Sequence, residues 1–146
     1  MNCCTWILFS SSRTTSLSGN YYALVIIDDF SRFTWTLFLE SKSDAFSAFK
    51  KLAKRLQNMC CRNICAIRSD RGWEFQNEKF NVFCEKFGIF HNFYAPKTPQ
   101  QNEVVERKNM SLEELVRTML SESSLHKYFW VDVVSTTCYV MKKVLN

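Results

Sequence analysis

Two acids in this chain have the type, flanks and spacing to do chemistry: Asp70 and Glu106. Asp70 follows a short apolar run, Ile64-Cys65-Ala66-Ile67, within Ile67-Arg68-Ser69-Asp70-Arg71-Gly72. Glu106 lies in Thr98-Pro99-Gln100-Gln101-Asn102-Glu103-Val104-Val105-Glu106-Arg107-Lys108-Asn109, with 35 residues between the two acids (106 − 70 − 1). Carboxylates are hard oxygen ligands suited to Mg²⁺ or Mn²⁺. A pair of such ions can drive phosphoryl transfer, one activating the attacking oxygen and the other stabilising the leaving oxygen. That chemistry requires acids from different elements converging at one end of a sheet. Taken singly, each acid has an ordinary structural explanation. An Asp before Arg-Gly is a turn residue, and a Glu beside Arg-Lys belongs to a solvated helix face.

The elements that would position them are legible. Tyr21 to Asp29 is β-branched and nearly continuous in apolar residues, which predicts a strand buried on both faces after a turn at Gly19-Asn20. Phe33 to Leu39 predicts a second strand. The link between the two is too short for a crossover helix, so they pair as a hairpin. A third strand precedes them around Thr5 to Phe9. Ser43 or Asp44 caps a helix that buries Phe46, Phe49, Ala53 and Leu56 and keeps Lys50, Lys51, Lys54 and Arg55 outside. A strand over Ile64 to Ile67 ends at Asp70. A helix covers about Glu78 to Phe87 and stops at Gly88, and Ile89 to Phe93 is a last strand. Thr98-Pro99-Gln100-Gln101 is a helix start with Thr98 as cap and Pro99 at the first helical position. It offers free N–H groups near the acids. Its buried face runs through Val104, Val105, Lys108, Leu112, Leu115, Val116 and Met119. A final helix begins near His126, with Trp130, Val134, Cys138, Met141 and Leu145 inward. The order βββαβαβαα predicts an α/β or α+β domain with a mixed sheet.

Composition sets the outer limits. The chain has 146 residues, 47% of them apolar and 13 of them Phe, which excludes a disordered tail. Three Gly and two Pro predict continuous elements with few long loops. A net charge of +5 permits a polyanionic partner without requiring one. The basic residues group at Lys50, Lys51, Lys54, Arg55 and Arg62, and again at Arg107 and Lys108. Seven Cys, with no secretory pattern over Met1 to Leu17, predict a reduced intracellular setting. Neither His91 nor His126 has metal-ligand spacing to a Cys pair, which argues against zinc. No run is long enough to cross a membrane.

Beyond these features the chain resembles the integrase catalytic core of copia-type retrotransposons. The likeness rests on Ser12-Arg13-Thr14-Thr15-Ser16-Leu17-Ser18-Gly19-Asn20, Asp28-Asp29-Phe30-Ser31-Arg32, Ile67-Arg68-Ser69-Asp70, Glu74-Phe75, His91-Asn92-Phe93 and Ala95-Pro96. The most specific segments are Thr98-Pro99-Gln100-Gln101-Asn102 and Val104-Val105-Glu106-Arg107-Lys108-Asn109. The resemblance covers about Leu8 to Leu145. It implies an α/β, ribonuclease-H-like fold over 1–146: a mixed five-stranded sheet, made of an antiparallel meander plus two further strands, flanked by helices. It implies processing of element DNA ends and their joining to target DNA in the nucleus, with Mg²⁺ or Mn²⁺ as cofactor and a homo-oligomer as the assembly. By carry-over, Asp70 and Glu106 are the second and third metal-binding and catalytic acids. Lys97, Asn102, Arg107 and Lys108 are nucleic-acid contacts, and Lys97 to Asn102 is a mobile loop. The family's zinc-binding amino-terminal module and its variable DNA-binding tail are not expected within these residues.

The departures fall where the chemistry should be. The family reads Asp-Leu-Phe-Gly-Pro where this chain reads Ile7-Leu8-Phe9-Ser10-Ser11. Ile7 offers no oxygen in place of the first of three acids. Trp73 and Glu103 stand where the family has glycine. Asp28 and Asp29 read as structural or turn acids rather than substitutes. Met1-Asn2-Cys3-Cys4-Thr5-Trp6-Ile7 is encoded as ATG AAY TGY TGY ACN TGG ATH. Read from the third base, this gives GAA YTG YTG YAC NTG GAT, with an Asp codon straddling Trp6 and Ile7. The family's Glu-Leu-Leu-His-Met-Asp resembles that reading, so residues 1–7 are expected to be a frameshifted first strand. The leading reading is a degenerate, inactive core. The alternatives are an active polynucleotidyl transferase using a surrogate acid, a non-catalytic DNA- or protein-binding module, and an element remnant with no function.

Overall fold

Six consecutive buried residues, Ala23 to Asp28, need cover on both faces of a strand, and the architecture supplies it. The computed structural model describes residues 3–10, 14–28, 31, 33–60, 63–69, 77–93 and 99–144. Its elements are β1 (Cys3–Ser10), β2 (Tyr22–Asp28), β3 (Thr34–Leu39), α1 (Ala45–Cys60), β4 (Ala66–Ser69), α2 (Glu78–Phe87), β5 (Phe90–Phe93), α3 (Pro99–Glu122) and α4 (Trp130–Val144). This is the order expected from periodicity. The strands lie in the order β3-β2-β1-β4-β5. β1, β2 and β3 pair antiparallel, whereas β4 runs parallel to both β1 and β5.

The alternation of β2 divides the interior in two. Leu24 and Ile26 face a core closed by Phe49 and Ala53 of α1 and by Phe80 and Cys84 of α2, together with Ile67 and Ile89. Ala23, Val25 and Ile27 face a second core closed by Leu112 and Val116 of α3 and by Trp130, Val133, Val134 and Cys138 of α4. The first core is aromatic. Phe46 meets Phe80 edge-on at 5.7 Å, and Phe49 meets Phe83 at 5.9 Å. In the second, Trp130 meets Phe38 edge-on at 5.9 Å. Each fully buried side chain of this size contributes about 1.5–3 kcal/mol through removal of apolar surface from water.

Local signals fix the element ends, in several cases not where the sequence pattern put them. Ser41, not Ser43 or Asp44, opens the segment before α1. Its hydroxyl accepts from Ser43 N–H, and the Asp44 carboxylate accepts from Ser41 N–H at 3.2 Å, forming a capping box ahead of a 3₁₀ turn, Lys42–Asp44. Asn77 caps α2 by accepting from Phe80 N–H at 2.8 Å. Gly88 ends α2 at φ +63, where its missing Cβ removes the left-handed penalty. β4 begins at Ala66 rather than Ile64, because Ile64 turns into the first core ahead of the ladder. Pro99 takes the expected first position of α3. Leu112, Val116 and Met119 pack inward, but Leu115 is 43% exposed on the flank of the helix. The last helix is preceded by a 3₁₀ turn, Lys127–Phe129, and its inner face also includes Val133 and Thr137. Thr137 is tolerated there because its hydroxyl donates to the Val133 carbonyl at 2.8 Å.

Candidate functional site

β1 carries position 7, where the resemblance would place the first acid. It is a middle strand between β2 and β4, and Ile7 is the register partner of Val25. Val25 belongs to the core under α3 and α4, so position 7 lies on that side of the pleat. β4 repeats the relationship. Ile67 is buried in the opposite core, which puts Arg68, the partner of Thr5, on the α3 side. Spacing alone did not single out Arg68, although its alternation with the apolar Ile67 identifies it. β4 ends at Ser69, and Asp70 and Lys97 lie outside the described residues, as do Thr98 and Trp73. Glu106 lies within α3, as do Asn102 and Lys108, but their side chains are outside the description. Arg107 is exposed on α3. Among the candidates, the backbone therefore brings position 7, the end of β4 and the helix bearing Glu106 to one side of the sheet.

Asp28 is not a substitute for the missing acid. It pairs with Cys4, three residues before Ile7 along β1, a displacement of about 10 Å at strand rise. It also follows the alternation of Leu24 and Ile26 and so faces the other core. It is 5% exposed, and its carboxylate accepts from Ser31 N–H at 3.0 Å and from the Ser31 hydroxyl. These bonds close the β2–β3 turn, the structural role expected of it.

The two-metal centre that the resemblance implies would draw on three carboxylates, and Asp70 and the Glu106 side chain, two of them, lie outside the description. The central-strand position is Ile7, which has no donor atom, and Asp28 is turned to the other face. Among the described residues no group of three or more His, Cys, Asp or Glu is arranged to hold a metal ion. His91 packs edge-on against Phe80 at 4.7 Å, and burial pushes its pKa below the ordinary 6.5. Burial also raises the Cys84 thiol to about 11. It raises Cys138 as well, against the opposing effects of a Thr36 hydrogen bond and the Lys142 charge. No described helix is long and apolar enough to cross a membrane.

Comparison with known proteins agrees with this arrangement. The chain is 38% identical over 128 residues to the retrovirus-related Pol polyprotein of transposon TNT 1-94 from Nicotiana tabacum, covering 88% of the chain and 10% of that protein. It is 31% identical over 137 residues to the Pol polyprotein of transposon RE2 from Arabidopsis thaliana, covering 92% of the chain and 9% of that protein. The chain thus spans about a tenth of the length of these relatives. Among solved structures it is similar to the HTLV-2 integrase catalytic core domain in complex with magnesium. The TM-score is 0.63 at 18% identity, with 98% of this chain and 86% of that one covered. It is also similar to a chain of the simian T-cell lymphotropic virus intasome in complex with PP2A regulatory subunit B56 gamma, with TM-score 0.67 at 20% identity, covering 99% and 49%. The fold is therefore the ribonuclease-H-like architecture of retroviral integrase cores. The family model for the integrase core domain matches residues 9–99, more than half of the chain. The chain belongs to the integrase core domain family.

Proposed function

We propose that this chain is a degenerate integrase core of a copia-type retrotransposon. It keeps the fold, contacts DNA through α3 and the segment before it, and does not join DNA ends. The observation that carries this reading is Ile7 opposite Val25 in the middle of the sheet, on the side covered by α3. Asp70, two residues beyond Arg68 in sequence, and Glu106 of α3 are the remaining two metal-binding acids. Lys97, Asn102, Arg107 and Lys108 contact DNA. With the first carboxylate gone, Mg²⁺ or Mn²⁺ binding is weakened. Activity falls below roughly a thousandth of a competent core, because catalytic groups that act as a unit fail together.

The parent enzyme's substrates would be element ends and target DNA, a reading supported by its relatives being transposon Pol polyproteins, and a chromosomal target would mean work in the nucleus. Self-association is supported by the trimeric and dimeric forms of the HTLV-2 core. Residues 1–146 form one catalytic-core domain, with residues 1–7 a frameshifted reading of its first strand. Two experiments test this. Sequencing codons 1 to 9 in genomic DNA and transcript should reveal an out-of-frame GAT across codons 6 and 7. A strand-transfer assay with Mg²⁺ or Mn²⁺ should give no joined product from the purified chain. Robust joining overturns the inactive reading.

A further inference from the structure

The face of the sheet opposite α3 and α4 carries a second feature. α1 contains Lys50, Lys51, Lys54 and Arg55 and no acidic residue, and all four are exposed. Lys50 and Lys54, one helical turn apart, rim a cleft of about 330 Å³ between α1, α2 and the start of β5. Its apolar wall is formed by Phe83 and Phe87, whose rings lie 4.8 Å apart and tilted. Phe87 is 46% exposed, and the Lys86 ammonium lies 5.7 Å from its ring centre. The amides of Gln57, Asn58 and Asn63 also line it, and no acidic residue does so among the described residues.

Each part corresponds to one part of a nucleotide. Lysines a helical turn apart match phosphates. An exposed aromatic ring offers a stacking surface to any base. Carboxamides carry both a donor and an acceptor for base edges. The occupant is single-stranded, because a duplex keeps its base faces stacked inside and leaves Phe87 without a partner. We propose that this cleft binds single-stranded nucleic acid, with one unpaired base on Phe87 and the flanking phosphates on Lys50 and Lys54. The cleft lies on the other side of the sheet from α3, separated from it by the sheet and its first core.

The test is fluorescence anisotropy with a labelled single-stranded DNA oligomer and a duplex of the same sequence, using the full chain. The unaltered protein should prefer the single strand, with an affinity that falls as salt rises. Lys50→Glu combined with Lys54→Glu should weaken single-strand binding at least about tenfold. The charge-matched pair Lys127→Glu and Lys143→Glu should change it less than about twofold. Phe87→Ala should weaken single-strand binding about tenfold and leave duplex binding within about twofold. If Phe87→Ala does not fold, amide shift mapping on the unaltered chain decides, with shifts expected at Lys50, Asn63 and Phe87. Equal binding of duplex and single strand, equal losses in the two charge-reversed pairs, or shifts confined to α3 and α4 would overturn the proposal.

Discussion

Ile7 and Val25 are register partners across the β1–β2 pair, and Val25 is almost wholly buried beneath α3 and α4. On the proposed reading, position 7 is where the first metal-binding acid would stand, and this chain has Ile there. Cys3–Ser10 forms a strand from a largely apolar, β-prone sequence. On that reading, chemistry is lost at this one position while the fold is kept. The stability of the domain is measurable independently of its activity.

The second core should depend heavily on Trp130, which is fully buried with no partner for its indole N–H among the described residues. Trp130→Ala should cost about 3–5 kcal/mol in urea unfolding. Trp130→Phe should cost clearly less, since it keeps a ring against Phe38 and removes the buried donor. Equal losses for the two variants would show that a ring at this position adds nothing to the second core.

Helix α2 is set by its two ends. Asn77→Ala removes the acceptor for Phe80 N–H and should cost about 1 kcal/mol. Gly88→Ala meets no atom within 4 Å, so its cost of about 1–2 kcal/mol comes wholly from the backbone at φ +63. Gly88→Asn should cost less than Gly88→Ala, because Asn tolerates the left-handed region. Chemical unfolding of the three variants checks the order.

His91 should make the fold sensitive to mild acid. Burial holds its pKa below 6.5, so the unfolded chain binds the proton first as pH falls. Above pH 6.5 both states are neutral and the group contributes no pH dependence. Below it, stability declines until the folded pKa is passed. Urea midpoints at pH 7.5 and 5.5 should therefore differ more for the parent than for His91→Gln.

The described thiols should separate by reactivity. Burial raises Cys84 to about 11 and also raises Cys138, while Cys65 is exposed. Iodoacetamide at pH 8 should label Cys65 in the native protein and reach Cys84 and Cys138 only after unfolding. Peptide mass spectrometry reads the order directly.

Much of this was legible in the sequence, and the reason differs from element to element. The doubly buried β2 shows as a continuous apolar run, and α1 and α2 show their faces through Phe and Lys spacing. Gly88 names the end of α2 because few other residues accept its backbone. The caps were less legible. Ser41, Ser43 and Asp44 all fit the pattern, and only the hydrogen bonds show that Asp44 returns to Ser41. Leu115 looked inward by period but is carried to the helix flank once Leu112 and Val116 settle the packing. The departure at position 7 is plain in the sequence. Which face it occupies, and that Asp28 faces the other way, required the strand register.

The most direct measurement is the metal-linked change in melting temperature of the parent chain and of Ile7→Asp, with Mg²⁺ or Mn²⁺ and no DNA. It requires no knowledge of the element ends. The parent should shift by less than about 1 °C. Ile7→Asp should be less stable without metal, because Asp is poorly suited to a middle strand, and should gain on the order of 5 °C or more when metal saturates it. A parent chain that gains as much as Ile7→Asp, and loses that gain on Asp70→Asn, would show that a complete metal site persists and would contradict the account.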